Sequence, residues 1–458
     1  MRVALLSLFC LSVWAADILP PESEQRLARE IYKEMIEVKS GFATGTTTPI
    51  AESVAARFKA AGLPASDIFV GGVIPTKANV VVRYHGTGAR KPILLLAHID
   101  VVEAKREDWS VDPFVFLERD GYFYGRGTAD DKAQAAVWVA TLLRFKREGY
   151  RPDRDLILAL TADEEGGGPY NGVDWLLQKH RGLIDAEFAI NEGARGIMVD
   201  GKRVEHQIGL AEKQFLNLRW EVRNRGGHSA RPVPDNAIYH LAAALHRLAT
   251  FEFDFHLTDI TREYFRQASK TASRELAADM VRVADGDRGA MRRVALTSAP
   301  LNAMMRTTCV ATQIEGGHAT NALPQLAAAN INCRLLPDDS AERVVAELTK
   351  LVADDQVKIT ITTNEGASPA SPLRPDIMKA FTGITDTMWP GVVAVPSMAV
   401  GGSDGRYLRI AGIPTYGVQG FFQDRDDVRA HGRDERMPVR SFYEGQMFLY
   451  EFVKALSH

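Results

Sequence analysis

Pro92-Ile-Leu-Leu-Leu-Ala-His-Ile-Asp100 decides the fold. Its apolar run reaches His98 without a break, the pattern of a strand covered on both faces rather than one with a wet side. Leu156-Ile-Leu-Ala-Leu160 and Phe188-Ala-Ile190 repeat it, and between the first two runs lies Ala133 to Arg147, helical in period and closed by Gly149. Strands alternating with helices predict an α/β fold with a mixed, mainly parallel sheet covered by helices. Upstream, Glu22 to Glu37 and Ile50 to Ala61 read as helices, the second stopping at Gly62.

The pattern changes near Gln214. In Leu216-Asn-Leu-Arg-Trp-Glu-Val-Arg223 the even positions are apolar and the odd ones polar, a strand with one wet face. A helix from Ala237 to Thr250 follows, then a strand ending at Arg334, a helix opened by Asp339 with Glu342 three residues on, and an alternating strand from Val357 to Thr363. Two helices on one face of an antiparallel sheet make a small α+β domain. The doubly covered type of strand resumes only at Ile413-Pro-Thr-Tyr-Gly-Val418. The expected division is therefore one catalytic body, residues 16–213 and 366–458, interrupted by an inserted domain at 214–365.

With 458 residues, 46% hydrophobic and 25% charged, the chain can bury two or three cores. A net charge of −3 gives no electrostatic reason to expect nucleic acid or an anionic membrane as partner. At the N-terminus, Met1-Arg2 precedes an apolar run from Val3 to Trp14 and small residues at Ala15-Ala16, which reads as a signal peptide cleaved after Ala15. Periplasmic or secreted localisation follows, with no membrane anchor once residues 1–15 are removed. Cys10 leaves with the signal. Cys309 and Cys333 then either pair in an oxidising compartment or lie buried as thiols.

Acidic and imidazole side chains recur where buried strands end, the ligand-binding edge of an open α/β sheet. His98 and Asp100 close the first strand, and strand period two places them on one side, so that Asp100 can accept the second imidazole N–H. Gly125-Arg-Gly-Thr-Ala-Asp-Asp-Lys132 delivers two adjacent carboxylates onto the start of a helix. Asp163-Glu164-Glu165 follows the second strand, Asn191-Glu192-Gly193 the third, and His431 stands in Arg429-Ala-His-Gly-Arg-Asp-Glu435. Each has a bland reading: a strand-end histidine, a helix N-terminus favouring acids, a solvated loop. Five such sites in order argue against all being bland.

In these motifs, from about His98 to His431, the chain resembles the di-zinc metallopeptidase family of glutamate carboxypeptidase, aminoacylase and succinyl-diaminopimelate desuccinylase. The resemblance implies two zinc ions per subunit, with cobalt or manganese as substitutes. Asp130 would bridge them, His98 and Glu192 completing one site and Glu165 and His431 the other. It also implies a cis peptide between Asp130 and Asp131, Glu164 as general base, and a lid in which His228 of Gly226-Gly-His-Ser-Ala-Arg-Pro232 steadies the oxyanion, often across a homodimer. Asn321, Arg334, Gly402 and Ser403 match segments that hold the substrate. Arg334 suits a free carboxylate, as a planar and permanently charged fork.

The expected reaction is hydrolysis of an amide or peptide bond beside a free carboxylate, of carboxypeptidase or dipeptidase type. Deacylation of N-acyl amino acids is the alternative. A metal-free binding module is disfavoured because all six ligand and base positions are filled. Phosphate binding at Gly125 is disfavoured because the loop lacks the Gly-Lys-Ser/Thr ending of a P-loop.

Overall fold

Ile93–His98 lies inside a ten-stranded sheet, paired in parallel with Leu156–Thr161 on one side and Phe188–Asn191 on the other. This computed structural model describes residues 18–166 and 168–458, so the signal-peptide reading of residues 1–15 falls outside it. Thr415–Gly417 continues the parallel set beside Phe188–Asn191. Ala78–Tyr84 and Lys202–Glu212 pair antiparallel with members of this set, which makes the sheet mixed. Every residue of 93–98 and 156–161 is buried, as their unbroken apolar runs require. Lys132–Glu148, Glu22–Ile36 and Val439–Leu456 cover one face, and Gly172–Lys179 with Gly405–Ile410 the other. Among the described residues no helix is long and apolar enough to cross a membrane.

The register of the central strands aligns their ends. His98 sits opposite Thr161, and Leu95 opposite both Leu158 and Ile190. The three strands therefore end at one edge of the sheet, and the loops that leave them carry Asp100, Glu164, Glu165 and Glu192.

A second sheet of four antiparallel strands has the order Thr308–Gly316, Leu326–Leu335, Gln214–Arg223, Lys358–Asn364. Leu216, Leu218, Trp220 and Val222 point to its core, beneath helices Ala237–Thr250 and Ala341–Val352. Ser340, not Asp339, caps the second helix, its side chain accepting the Arg343 N–H. Asp339 is drawn off by Thr307 and the Arg343 guanidinium. Cys309 and Cys333 face each other across neighbouring strands and form a disulfide.

One stretch between residues 214 and 365 does not join this layer. Four helices, Asp259–Ala268, Arg274–Ala284, Arg288–Thr297 and Ala299–Met305, pack into a cluster with Val393 and Val395 of the large sheet. Nothing local in their sequence assigns these helices to either body; the packing decides which one they cover.

Candidate metal centre and active site

His98 is buried at the last position of its strand. Its Nε2 lies 2.9 Å from Asp130 Oδ1 and 3.8 Å from Glu192 Oε1. The other oxygen of Asp130 lies 3.1 Å from His431 Nε2, which is in turn 3.0 Å from Glu165 Oε1. Asp130 thus offers one oxygen to each histidine, and the five expected ligands converge. Glu164 is beside them: its carboxylate can group with His98 and Glu192 within 4.8 Å.

The Asp100 expectation needs correction. The strand ends at His98, so period two does not extend to residue 100, and it is the Asp100 backbone carbonyl that faces His98 Nδ1 at 3.0 Å. The carboxylate stands 3.7 Å from that nitrogen, and instead accepts the backbone N–H groups of Glu164 and Glu165, each at 3.1 Å. Asp100 therefore fixes the loop that carries Glu164 and Glu165, and its backbone carbonyl, not its carboxylate, is the group within hydrogen-bond distance of His98 Nδ1.

The Asp130 loop is held from beneath. Glu435, fully buried, accepts the N–H groups of Gly127, Ala129 and Asp130 at 2.7–3.1 Å and pairs with Arg126 at 2.7 Å. Gly127 has φ +88°, and a Cβ there would stand 2.8 Å from Val101, so the turn requires glycine. The Asp130-Asp131 peptide is cis. Asp131 turns inward to Gln419 at 3.0 Å, leaving Asp130 alone to face the histidines.

Four carboxylates in one place repel, and the ionisation behaviour shows it. Burial pushes Glu164 well up; His98 pulls against this, and Asp404 and Glu165 add to the rise. Burial and Asp130 likewise raise Glu192. Hydrogen bonds to Asp130 and Glu165 push His431 up to about 10. Burial would raise Asp130, but the bonds from His431 and His98 outweigh it and hold it low. Such a cluster calls for positive charge. The observed N–O separations of 2.9–3.8 Å bracket the ~3.3 Å between neighbouring ligands on a tetrahedral ion with ~2.0 Å bonds. The residues fit two divalent ions sharing Asp130.

Two cavities meet this cluster. One, of about 390 Å³, is lined by Glu164, Glu165, Arg334 and Gly402. The other, of about 480 Å³, is lined by Asp130, Glu192 and Arg195. Arg334 and Gly402 therefore reach the site, Arg334 stacked 4.6 Å over the Phe215 ring. Ser403 lines the first cavity too, but its hydroxyl is committed to Glu212 at 2.6 Å, so it secures its loop instead of presenting a donor. His228 and Asn321 line neither cavity. His228 is exposed, paired opposite Ala322, with its Nδ1 accepting the Ala230 N–H at 3.1 Å.

A family model described as peptidase family M20/M25/M40 matches residues 94–455, spanning every strand-end residue of this cluster. The chain belongs to that family. Like its other members, this M20 peptidase is a metal-dependent hydrolase of amide bonds. It is 30% identical over 389 residues to N-fatty-acyl-amino acid synthase/hydrolase PM20D1 of Homo sapiens, covering 80% of this chain and 74% of that protein. It is 29% identical over 396 residues to the probable carboxypeptidase S-like 2 of Dictyostelium discoideum, covering 82% and 74%. Its fold matches the M20 family metallo-carboxypeptidase Sso-CP2 from Sulfolobus solfataricus with a TM-score of 0.70 at 18% identity, over 93% of this chain and 98% of that one.

Sequence reasoning misses Glu435, Asp404 and Arg195. Glu435 stands in the His431 motif with no function evident from its spacing. Asp404, buried and bonded to Thr161 at 3.0 Å and Asn171 at 2.6 Å, looks from its neighbours like part of a glycine turn. Arg195 follows Glu192 by three residues, and nothing in its local pattern marks it as lining a cavity.

Proposed function

We propose that this chain is a two-zinc hydrolase of short peptides, cleaving the amide bond whose amine side bears a free carboxylate. The observation that carries the reading is Asp130 shared between His98 and His431, with Glu164 beside it and Arg334 in the same cavity as Glu164. Histidine and carboxylate donors suit zinc. His98, Asp130 and Glu192 would hold one ion, and Asp130, Glu165 and His431 the other. When bound, the ions supply Lewis-acid polarisation of the scissile carbonyl and a lowered pKa for the attacking water.

The protein's own groups do the rest. Glu164, raised by burial and its acidic neighbours, is poised to take a proton from water and return it to the leaving amine. Asp100 fixes that carboxylate's backbone, and Arg334 with Gly402 positions the carboxylate of the leaving amino acid. His228, remote within one chain, would complete the oxyanion site of a partner subunit. Support for a homodimer through the lid 214–365 comes from Thr308–Gly316, an edge strand on which Val310 and Ile314 are exposed. The Cys309–Cys333 disulfide and the apolar N-terminal run support export to the periplasm or beyond.

A second reading, an N-acyl amino acid hydrolase, is favoured by the likeness to N-fatty-acyl-amino acid synthase/hydrolase PM20D1. A panel of dipeptides and N-acyl amino acids, run on zinc-loaded protein and its Glu164→Gln variant, separates the two. Turnover of peptides that disappears in the variant is expected. Turnover confined to acyl amino acids would replace the peptidase reading, and undiminished activity in the variant would end the proposed mechanism.

A further inference from the structure

We infer that the stretch 403–409 is a clasp between the two sheets, through which the seating of the Arg334-bearing sheet fixes the loop that carries Glu164. Glu212 and Asp404 are then positioning residues for the base, one at each end of the clasp. This rests on the function proposed above and adds how the two sides of the substrate site are kept in register.

The chain enters the four-stranded sheet from the ten-stranded one across a single residue, Lys213, between the strands Lys202–Glu212 and Gln214–Arg223. It leaves that sheet for the last time after Lys358–Asn364. Both crossings are gripped by 403–409. At the first, Glu212 accepts the Ser403 N–H at 3.0 Å and the Ser403 hydroxyl at 2.6 Å, and pairs with Arg409 at 2.9 Å. At the second, Glu365 pairs with Arg406, and the Ser368 hydroxyl accepts the Arg409 Nε–H at 3.0 Å. Arg409 thus spans the two crossings.

The same stretch reaches the catalytic edge through Asp404. One of its oxygens accepts the Thr161 hydroxyl at 3.0 Å and the other the Asn171 amide at 2.6 Å. Thr161 ends the strand Leu156–Thr161, and Asn171 caps the helix Gly172–Lys179 by accepting the Asp174 N–H. Asp404 therefore pins both ends of the loop that presents Glu164, while Asp100 holds the backbone at Glu164 itself. Asp404 is 2% exposed with both oxygens engaged, so it acts through the loop and not on the substrate.

Stability alone does not call for such a network. Glu212, Ser403, Asp404 and Arg409 are all buried, and the desolvation of a buried ion pair offsets most of its attraction, so apolar side chains would hold a static junction as well. Directed bonds add geometry, since each one fixes a distance and an angle. That matters here because Arg334 stands on one sheet and Glu164 follows a strand of the other. A misplacement of about 1 Å between groups that must act together is enough to cost about 100-fold in rate.

The test measures kcat and bound zinc for Asp404→Ala and Glu212→Gln, with whichever substrate of the dipeptide and N-acyl amino acid panel turns over. Each variant should keep its zinc and lose about 10- to 100-fold in kcat. Combined with Glu164→Gln, neither should lower kcat further, since no base is left to misplace. Asp404→Ala with Glu212→Gln should be no slower than Asp404→Ala alone, because the two act in series. Asp404→Asn, whose amide can accept from Asn171 and donate to Thr161, should restore most of the rate. If Asp404→Ala does not fold, Thr161→Val, close in shape, makes the same comparisons. Unchanged kcat in the single variants, loss of zinc, losses that persist in the Glu164→Gln background, or losses that multiply when Asp404 and Glu212 are changed together would overturn the inference and leave the hydrolase reading standing. A wild type inactive on the whole panel would bring down that reading and the inference together.

Discussion

Glu435 accepts the backbone N–H of Asp130 at 3.1 Å, so the residue shared by both histidines is held by a carboxylate that never faces the substrate. Outer groups of this kind orient ligands, and their loss typically costs 10- to 100-fold in metal affinity. Glu435→Gln, which cannot serve the amides and Arg126 alike, should weaken zinc binding by about that factor. Competition against a chelator of known affinity measures it; unchanged affinity would remove Glu435 from the supporting role.

Glu164 differs from the proposed ligands in what its loss should do. Glu164→Gln is expected to retain both metals and lose on the order of 10²- to 10⁴-fold in kcat, the usual worth of a general base. Elemental analysis beside steady-state kinetics separates this from metal loss. A variant that loses its metals would make Glu164 a ligand.

Arg334→Ala should raise KM for substrates with a free carboxylate by roughly 10- to 100-fold, since a hydrogen bond to a charged group is lost. The same variant should discriminate little between the acid and its amide. Retained preference for the acid would move carboxylate recognition elsewhere.

Proton competition sets the pH dependence of metal loading. With Asp130 and Glu165 as partners, His431 in the metal-free protein is raised to about 10, from an unfolded value of about 6.5. Its contribution to metal-free stability is therefore full below pH ~6.5 and is lost as pH rises through ~10. Zinc must displace that proton, so apparent affinity should climb about tenfold per pH unit between these limits from His431 alone. A flat profile from pH 7 to 9 in a competition titration would contradict this pairing.

The disulfide joins residues 24 positions apart on neighbouring lid strands. For a loop of that length the chain-entropy contribution is about 3.5 kcal/mol. Cys309→Ser with Cys333→Ser should lower the denaturant midpoint of the lid transition, and a reducing agent should do the same to the wild type. Insensitivity to both would mean the thiols are unpaired in solution.

How much is legible in the sequence depends on how local each signal is. The strand at 93–98 is plain because burial on both faces leaves no polar residue in the run before His98, and the lid strand at 214–223 because one wet face forces alternation. Ala237–Thr250 matches residue for residue, since Asn236 caps it and its apolar stripe is continuous. The Asp100 carboxylate escapes a reading by strand period because the strand stops two residues short of it. Ser403 escapes because its partner, Glu212, lies 191 residues away.

By itself the sequence determined the family, the α/β order and the identities of the residues that converge around Asp130, because each stands next to a buried strand or a glycine turn whose pattern is local. Only the tertiary structure decided which carboxylate faces which histidine, which residues hold the loops from behind, and which arginines remain without partners. Those outcomes depend on contacts between segments hundreds of residues apart, such as Glu435 with Asp130 and Arg126. Whether a buried charge is satisfied within the chain or left for a substrate is settled by packing, and no local pattern records it.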